Sequence, residues 1–185
     1  MIRKGSRADA ALQPRMTSYV ALLRAVNVGG QLLKMDDLKR IAGELGLGSS
    51  RTFIASGNLL FTSDKSEQAL KAELEAAIAE HMGKPIGVMI RNAAEMAGVA
   101  VANPFADQPG NRVVAIFLDE APPKNAAKDA RNLTDEHVAL SRREIYVHYP
   151  TGQGQSKLRI PAAAAGTARN MNTIRKLAEL AKEME

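Results

Sequence analysis

The residues best suited to chemistry are polar and cationic side chains in three loops. The first loop contains Asn27, Gly29 and Gly30 and is flanked by Arg24 and Lys34. It joins an apolar run to a helical pattern, where backbone N–H groups and the helix dipole can hold a phosphate or a carboxylate. A glycine turn that only reverses the chain is the alternative explanation.

The second loop is TGQGQSK, residues 151–157, and it follows a predicted strand. It combines a flexible backbone with the Ser156 hydroxyl and the Lys157 ammonium, groups that can bind a phosphate or a carboxylate. Because Gly/Gln-rich stretches are often linkers, a plain surface loop is the alternative.

The third group contains Thr167, Arg169 and Asn170, which the pattern of residues 168–184 places at the start of a helix. Thr167 is the predicted cap, and free backbone amides together with the Arg169 guanidinium could meet an anionic group there. Alternatively, Arg169 and Asn170 support a predicted hairpin turn at residues 56–58 through hydrogen bonds to its backbone. The full set of predicted ligand-binding residues is Arg24, Asn27, Gly29, Gly30, Lys34, Ser56, Asn58, Ser156, Lys157, Thr167, Arg169 and Asn170.

The sequence assigns no catalytic residue, metal site or cofactor. His81, His137 and His148 are scattered without the spacing of metal ligands. The chain has no cysteine, which excludes disulfides, thiolate nucleophiles and zinc-thiolate sites. It also lacks the glycine patterns of dinucleotide folds and P-loops. Whether the protein is an enzyme is left open by the sequence.

The positive charge of the chain is concentrated near its start. The formal net charge is +5, and residues 1–15 hold four basic residues against one acidic residue, a net +3 that leaves +2 for the rest. We expect residues 1–15 to be a disordered extension, with a basic anchoring arm as the alternative. Aromatic residues make up only 4% of the chain, and the aromatic strand pattern of RNA-binding sheets is absent. Nucleic acid is therefore not an expected partner.

No apolar stretch approaches the roughly 20 residues that cross a membrane, and residues 1–15 lack the apolar core of a secretory signal. The sequence therefore predicts a soluble, cytoplasmic protein with no membrane partner.

The first half of the chain alternates strand and helix patterns. Residues 17–27 form an almost continuous apolar run, followed by helical spacing over residues 35–45. Residues 51–55 and 59–62 predict a hairpin, residues 66–82 a second helix and residues 86–90 a fourth strand. The order βαββαβ is typical of a ferredoxin-like unit, with both helices on one face of an antiparallel sheet.

The second half repeats this logic after a connector at residues 91–109. Strands are predicted at residues 112–118, 137–140 and 144–149, with helices at residues 126–133 and 168–184. The predicted fold is α+β with tandem ferredoxin-like units, the first at residues 16–91 and the second, with its connector, at residues 92–185. No residue-level repeat is visible between the halves. Each sheet leaves an open face that the other half, a ligand or a second copy in a homodimer must cover.

Four segments carry a family resemblance: ALLRAVNVGG at residues 21–30, RTFIASGNLLF at residues 51–61, NPF at residues 103–105, and SK followed by TARNMNT between residues 156 and 173. From residue 16 to its end the chain resembles a bacterial family known as domain of unknown function 1697. The resemblance implies tandem ferredoxin-like halves and no particular activity, cofactor or substrate. Met171 stands where the family usually has Trp, which favours apolar packing over ring stacking at that position.

The leading functional hypothesis is the binding of a small anionic ligand between the two halves, where the three loops would meet. Weak nucleic-acid binding through the basic extension and a structural or oligomer-forming role without ligand are the alternatives.

Overall fold

The computed structural model describes residues 15–24, 33–54 and 57–185. The predicted extension up to residue 14 lies outside this part of the chain. So do four of the candidate binding residues, namely Asn27, Gly29, Gly30 and Ser56.

The first sheet has four antiparallel strands: β1 Thr17–Leu23, β2 Gly48–Thr52, β3 Asn58–Ser63 and β4 Val88–Asn92. Their order across the sheet is β2-β3-β1-β4. Successive residues of β1 point to opposite faces, and both faces are buried, which explains the almost continuous apolar run in the sequence.

Two helices cover one face of this sheet: α1 Met35–Glu44 and α2 Glu67–Met82. Ser66 caps α2 by accepting a hydrogen bond from the Ala69 amide, and Gly83 ends it with a left-handed φ of 67°. Leu74 and Ile78 of α2 pack with Ala21 and Leu23 in one hydrophobic cluster. The sequence predicted both helices.

The second sheet also has four antiparallel strands: β5 Val113–Phe117, β6 His137–Leu140, β7 Glu144–His148 and β8 Thr167–Asn170. Their order, β6-β7-β5-β8, places each strand as its counterpart lies in the first sheet. Two further helices flank this half of the chain, α3 Ala93–Val101 before it and α4 Met171–Lys182 after it.

Helices α3 and α4 pack against each other, α3 also against β1 and β4 of the first sheet and α4 against strands of both sheets. Their central cluster joins Val20 and Leu22 of β1 to Ala115 and Phe117 of β5. The first sheet is thus covered by helices on both faces, whereas the sequence predicted helices on one face only. The face that was expected to be open is buried within the chain.

The second half differs most from expectation. The helix predicted at residues 126–133 is wrong, because residues 124–129 form successive turns closed by bonds such as the Ala126 amide to the Pro123 carbonyl. Asn132 adopts a left-handed φ of 57°, which no helix tolerates. This irregular segment and residues 158–163 pack over the outer face of the second sheet, against Val114, Ile145 and Val147.

Candidate functional site

Two arginines bury their guanidinium groups where the two sheets meet. Arg91 on β4 is 1% exposed and Arg169 on β8 is 7% exposed. Their strands occupy the same position in the order of each sheet. Each side chain crosses from its own sheet to hydrogen-bond the other, so the two arginines hold the halves together.

At the Arg169 junction, the guanidinium binds the end of β1 and the start of β3. Its Nε donates to Asn58 Oδ1 at 2.7 Å, and its Nη2 donates to the carbonyl oxygens of Leu23 at 3.0 Å and Gly57 at 3.3 Å. Its Nη1 donates to Thr167 Oγ1 and the Ala168 carbonyl, each at 2.8 Å. These acceptors are neutral oxygens. Burial lowers the pKa of Arg169 to about 10, so it remains a cation at neutral pH.

At the Arg91 junction, the guanidinium binds backbone carbonyls equivalent to those that Arg169 binds, but its side-chain partner is charged. Arg91 Nε donates to Glu144 Oε1 at 2.9 Å, and Nη2 donates to the carbonyl oxygens of Leu118 at 2.8 Å and Arg143 at 3.2 Å. The guanidinium also lies 5.5 Å from the centre of the Phe117 ring. Burial lowers the pKa of Arg91, and Glu144 opposes that shift.

Strand register shows that the two junctions are equivalent. Val20 pairs with Arg91 across β1 and β4, and Ala115 pairs with Arg169 across β5 and β8. On the other side, Val20 pairs with Leu60 and Ala115 with Tyr146. Two residues before Leu60 and Tyr146 stand Asn58 and Glu144, the two acceptors for Nε. The halves are therefore related residue by residue at these junctions.

The helices that follow complete the repeat. Asn92 caps α3 by accepting from the Glu95 amide, and Asn170 caps α4 by accepting from the Thr173 amide. The dipeptide Arg-Asn therefore ends β4 and β8 alike and begins the next helix in both halves. A shared dipeptide is too short to be recognised as a repeat from the sequence, which is why no repeat between the halves was visible there.

Three of the sequence-predicted binding residues meet at the Arg169 junction, namely Asn58, Thr167 and Arg169, and a fourth, Arg24, follows the Leu23 carbonyl that Arg169 binds. Arg24 directly follows β1, is exposed, and its Nη2 donates to the Ala164 carbonyl at 2.7 Å. Asn58 is fully buried and its Nδ2 donates to the Phe53 carbonyl at 2.9 Å. Thr167 Oγ1 donates to the Leu23 carbonyl at 3.3 Å.

The helix cap that the sequence predicted here was misplaced. Thr167 is the first residue of β8, paired with Phe117, and the cap of α4 is Asn170. The pairing with β5 overrides the local preference of Thr167 for a cap. Arg169 supports the β2–β3 hairpin, as the structural alternative proposed, through its bonds to Gly57 and Asn58.

Ser156, Lys157 and Lys34 have their described contacts elsewhere. Ser156 Oγ donates a short hydrogen bond to Glu136 Oε1, and the Ser156 hydroxyl and the Thr134 amide lower the pKa of Glu136 to about 2. The Lys157 carbonyl accepts from Asn132 Nδ2 at 3.2 Å. Lys34 precedes α1 and makes no side-chain cap bond. Among the described residues, no hydrogen bond joins these three to the Arg169 junction.

The β2–β3 hairpin next to Arg169 carries backbone strain. Ile54 has a φ of 52°, in the left-handed region, and its side chain is 48% exposed. This conformation is rare for a β-branched residue, and such strain occurs most often at functional sites. The equivalent β6–β7 hairpin has two fewer residues, and neither Arg142 nor Arg143 has a positive φ.

A second cluster lies on the second sheet. His137 and His148 are cross-strand neighbours whose ring centres are 5.6 Å apart, and Phe105 lies 5.8 Å from His148. Nothing in the sequence indicates that these histidines are neighbours, because eleven positions separate them along the chain. In the part of the chain that the structure describes, no three metal-ligating side chains come together.

Comparison with known proteins identifies the family. The sequence model of a protein family described as protein of unknown function DUF1697 matches residues 16–146, well over half of the chain. The chain belongs to this family. The resemblance found in the sequence is thus confirmed, although the motif at residues 167–173 lies beyond the matched residues.

The DUF1697 chain also resembles a solved structure, the conserved bacterial protein SP0830 from Streptococcus pneumoniae. The two superpose with a TM-score of 0.76 at 24% sequence identity, and the match covers 91% of this chain and 99% of SP0830. At this identity the likeness concerns the fold alone. No curated protein matches the chain. Among the described residues of this family member, no helix is long and apolar enough to cross a membrane.

Proposed function

We propose that this DUF1697 protein binds a small anionic ligand, bearing a phosphate or a carboxylate, at the Arg169 junction. Arg24 contacts the ligand from the surface, and Arg169 contributes a buried positive charge beneath it. The observation that carries this proposal is the replacement of Glu144 by Asn58 at an otherwise equivalent junction.

The charge difference supports an anion at this end of the molecule. Arg91 and Glu144 together are neutral, whereas Arg169 and Asn58 together carry one positive charge. A buried positive charge acts through a low dielectric, so it attracts a nearby anion more strongly than a solvated lysine does. Arg24 adds a second cation next to the Leu23 carbonyl that Arg169 binds.

The exposed arginine is suited to direct contact. Arg24 uses one guanidinium nitrogen on the Ala164 carbonyl and is exposed, which leaves further N–H groups for a bidentate bond to an anion. The candidate loop residues Asn27, Gly29 and Gly30 follow Arg24 within six positions, and Ser56 follows the strained Ile54 by two. These four stay in the proposal as predicted ligands, while Ser156, Lys157 and Lys34 leave it.

For the fold, we propose that the chain consists of two ferredoxin-like units in tandem. Support comes from the shared strand order of the two sheets and from the two helices of the first unit. In the second unit, irregular segments take the places of those helices. Because Asn92 and Asn170 cap equivalent helices, we place α3 with the first unit and move the predicted boundary from residue 91 into residues 102–112.

The structure removes one argument for the alternative functions that the sequence left open, namely an uncovered sheet face. A second copy in a homodimer was one option for covering an open sheet face, but the inner faces of both sheets are buried in the central cluster of the chain. Tyr19 stacks on Phe61, with ring centres 5.8 Å apart, and both rings pack with the hydrophobic cluster on the face that α1 and α2 cover.

The test is thermal unfolding in the presence of phosphate, citrate and nucleoside monophosphates. We expect one class to raise the melting temperature of the wild type by several degrees at concentrations well above its Kd. Arg24→Ala should abolish the shift. Arg112→Ala is the matched control, since Arg112 also donates to a single carbonyl, that of Pro150 at 2.9 Å. No shift with any of these anions, or equal loss in both variants, would refute the proposal.

A further inference from the structure

An open cleft of about 490 Å³ lies between α3 and the β6–β7 hairpin. Three small residues on successive turns of α3 form one wall, and three hairpin residues form the other. These six are Ala94, Gly98, Ala102, Ser141, Arg142 and Arg143. The volume is within the range of small-molecule sites.

The equivalent position, between α4 and the β2–β3 hairpin, is filled. Strand register and helix caps relate Ser141 to Phe53, since each directly follows the outer strand of its hairpin, and Ala102 to Leu180. Phe53 and Leu180 both pack against the central hydrophobic cluster. The cleft therefore exists because the phenylalanine and leucine that fill the equivalent position are a serine and an alanine here.

The rim of the cleft carries an available cation. Arg143 is held by Glu67 at 2.6 Å and by Glu95 at 3.0 Å, and these contacts fix its position. Its neighbour Arg142 is exposed and has no ion pair with a described residue. Arg91 and Glu144, which also border the cleft, neutralise each other. Glu95 also lines the cleft, so the charged groups named here balance, and Arg142 is the cation at the rim that no described carboxylate engages.

We propose that this cleft binds a small molecule that has an aromatic body and one anionic group. The aromatic body takes the volume that Phe53 fills in the other half, against the small wall of α3. The anionic group meets Arg142, with Arg143 as a fixed neighbour. This site is separate from the Arg169 junction and does not depend on it.

The probe is phenyl phosphate, titrated into isotopically labelled wild-type protein and followed by amide NMR. We expect the amides of residues 94–102 and 141–143 to shift in a saturable way. Arg142→Gln should weaken binding about ten-fold, the typical loss when one charge-assisted hydrogen bond is removed. Ala102→Leu, which copies Leu180, should abolish binding by filling the cleft.

Controls separate the two features of the ligand. Ser141→Phe copies Phe53 and fills the cleft from the hairpin side, so it serves if Ala102→Leu does not fold. Inorganic phosphate at the same concentrations should shift these amides much less than phenyl phosphate. Equal shifts with inorganic phosphate, binding unchanged by a folded filling variant, or no shift at millimolar phenyl phosphate would each overturn the proposal.

Discussion

The Arg91 and Arg169 junctions share a backbone arrangement and differ in charge. In both, an arginine on the edge strand of one sheet reaches, in the other sheet, a carbonyl at the end of one strand, a carbonyl just before the neighbouring strand, and the first side chain of that neighbouring strand. That side chain is Glu144 in one and Asn58 in the other. The first junction is an ion pair within a network, and the second pairs a cation with a neutral amide.

This comparison distinguishes an arginine with a structural role from one that we propose also serves ligand binding. A buried ion pair is satisfied internally and is costly to break from one side. The described contacts of Arg169 are with neutral oxygens, which offset the desolvation of a buried cation less than an opposite charge does. The backbone strain at Ile54 lies in the β2–β3 hairpin that Arg169 binds.

The largest expected effect is the loss of Arg91. Arg91→Ala leaves Glu144 buried without its cation and should lower the free energy of unfolding by about 3–5 kcal/mol. Arg169→Ala should cost less, about 1–3 kcal/mol, because the acceptors left behind are neutral. The carbonyls of Leu23 and Gly57 also keep other donors, Thr167 Oγ1 and the Leu23 amide.

Urea unfolding of both variants measures this difference. A double variant, Arg91→Met with Glu144→Met, should recover much of the stability lost in Arg91→Ala, because no unpaired charge remains. A smaller loss for Arg91→Ala than for Arg169→Ala would show that the two junctions do not differ in the way described.

The next largest effect on stability is expected when the Arg91 junction is given a neutral acceptor like that of the Arg169 junction. Glu144→Gln supplies a neutral amide like that of Asn58 and should lower the free energy of unfolding by about 1–2 kcal/mol. The pKa of Arg91 should fall further, since Glu144 raises it in the wild type. Chemical denaturation checks the first effect, and unchanged stability would mean that the ion pair contributes little to the fold.

A smaller effect is expected at the hairpin. Ile54→Gly removes the left-handed strain of a β-branched residue and should raise the free energy of unfolding by up to about 1 kcal/mol, after the entropy cost of glycine. In the shorter hairpin, Arg142→Gly should not stabilise, because Arg142 has no positive φ to relieve. A destabilised Ile54→Gly protein would show that the strain is balanced by side-chain contacts.

The smallest effect concerns a loop outside both junctions. The pKa of Glu136 is about 2, below its ordinary value of 4.5, so this carboxylate stabilises the fold above pH 4.5 and loses that contribution as the pH falls towards 2. Ser156→Ala should raise the pKa of Glu136 and destabilise the protein at pH 7 but not at pH 2. NMR titration of the carboxyl carbon measures this, and a ligand response unchanged at pH 7 would confirm that Ser156 lies outside the binding site.

The first half of the fold could be predicted from the sequence because its signals are local. The apolar period of α2 and the turn around Gly57 need no distant partner to be recognised. The second half could not, because residues 124–133 have helical composition but fold over a sheet as turns. Residues 167–170 become a strand only because β5 is present to pair with them.

The candidate site was predictable in part for the same reason. Asn58 and Arg169 were singled out as polar groups near turns, and the fold brings them together. The role of Arg91 escaped detection, since a lone arginine after a strand carries no sequence signal. Its partner Glu144 is 53 positions away.

The most direct test of the charge difference is an NMR titration of the arginine Nε–H groups with the anion that raises the melting temperature. The signals of Arg24 and Arg169 should move in a saturable way, while that of Arg91 stays in place because Glu144 already neutralises it. A stationary Arg169 signal, or an equal movement of the Arg91 signal, would contradict the account.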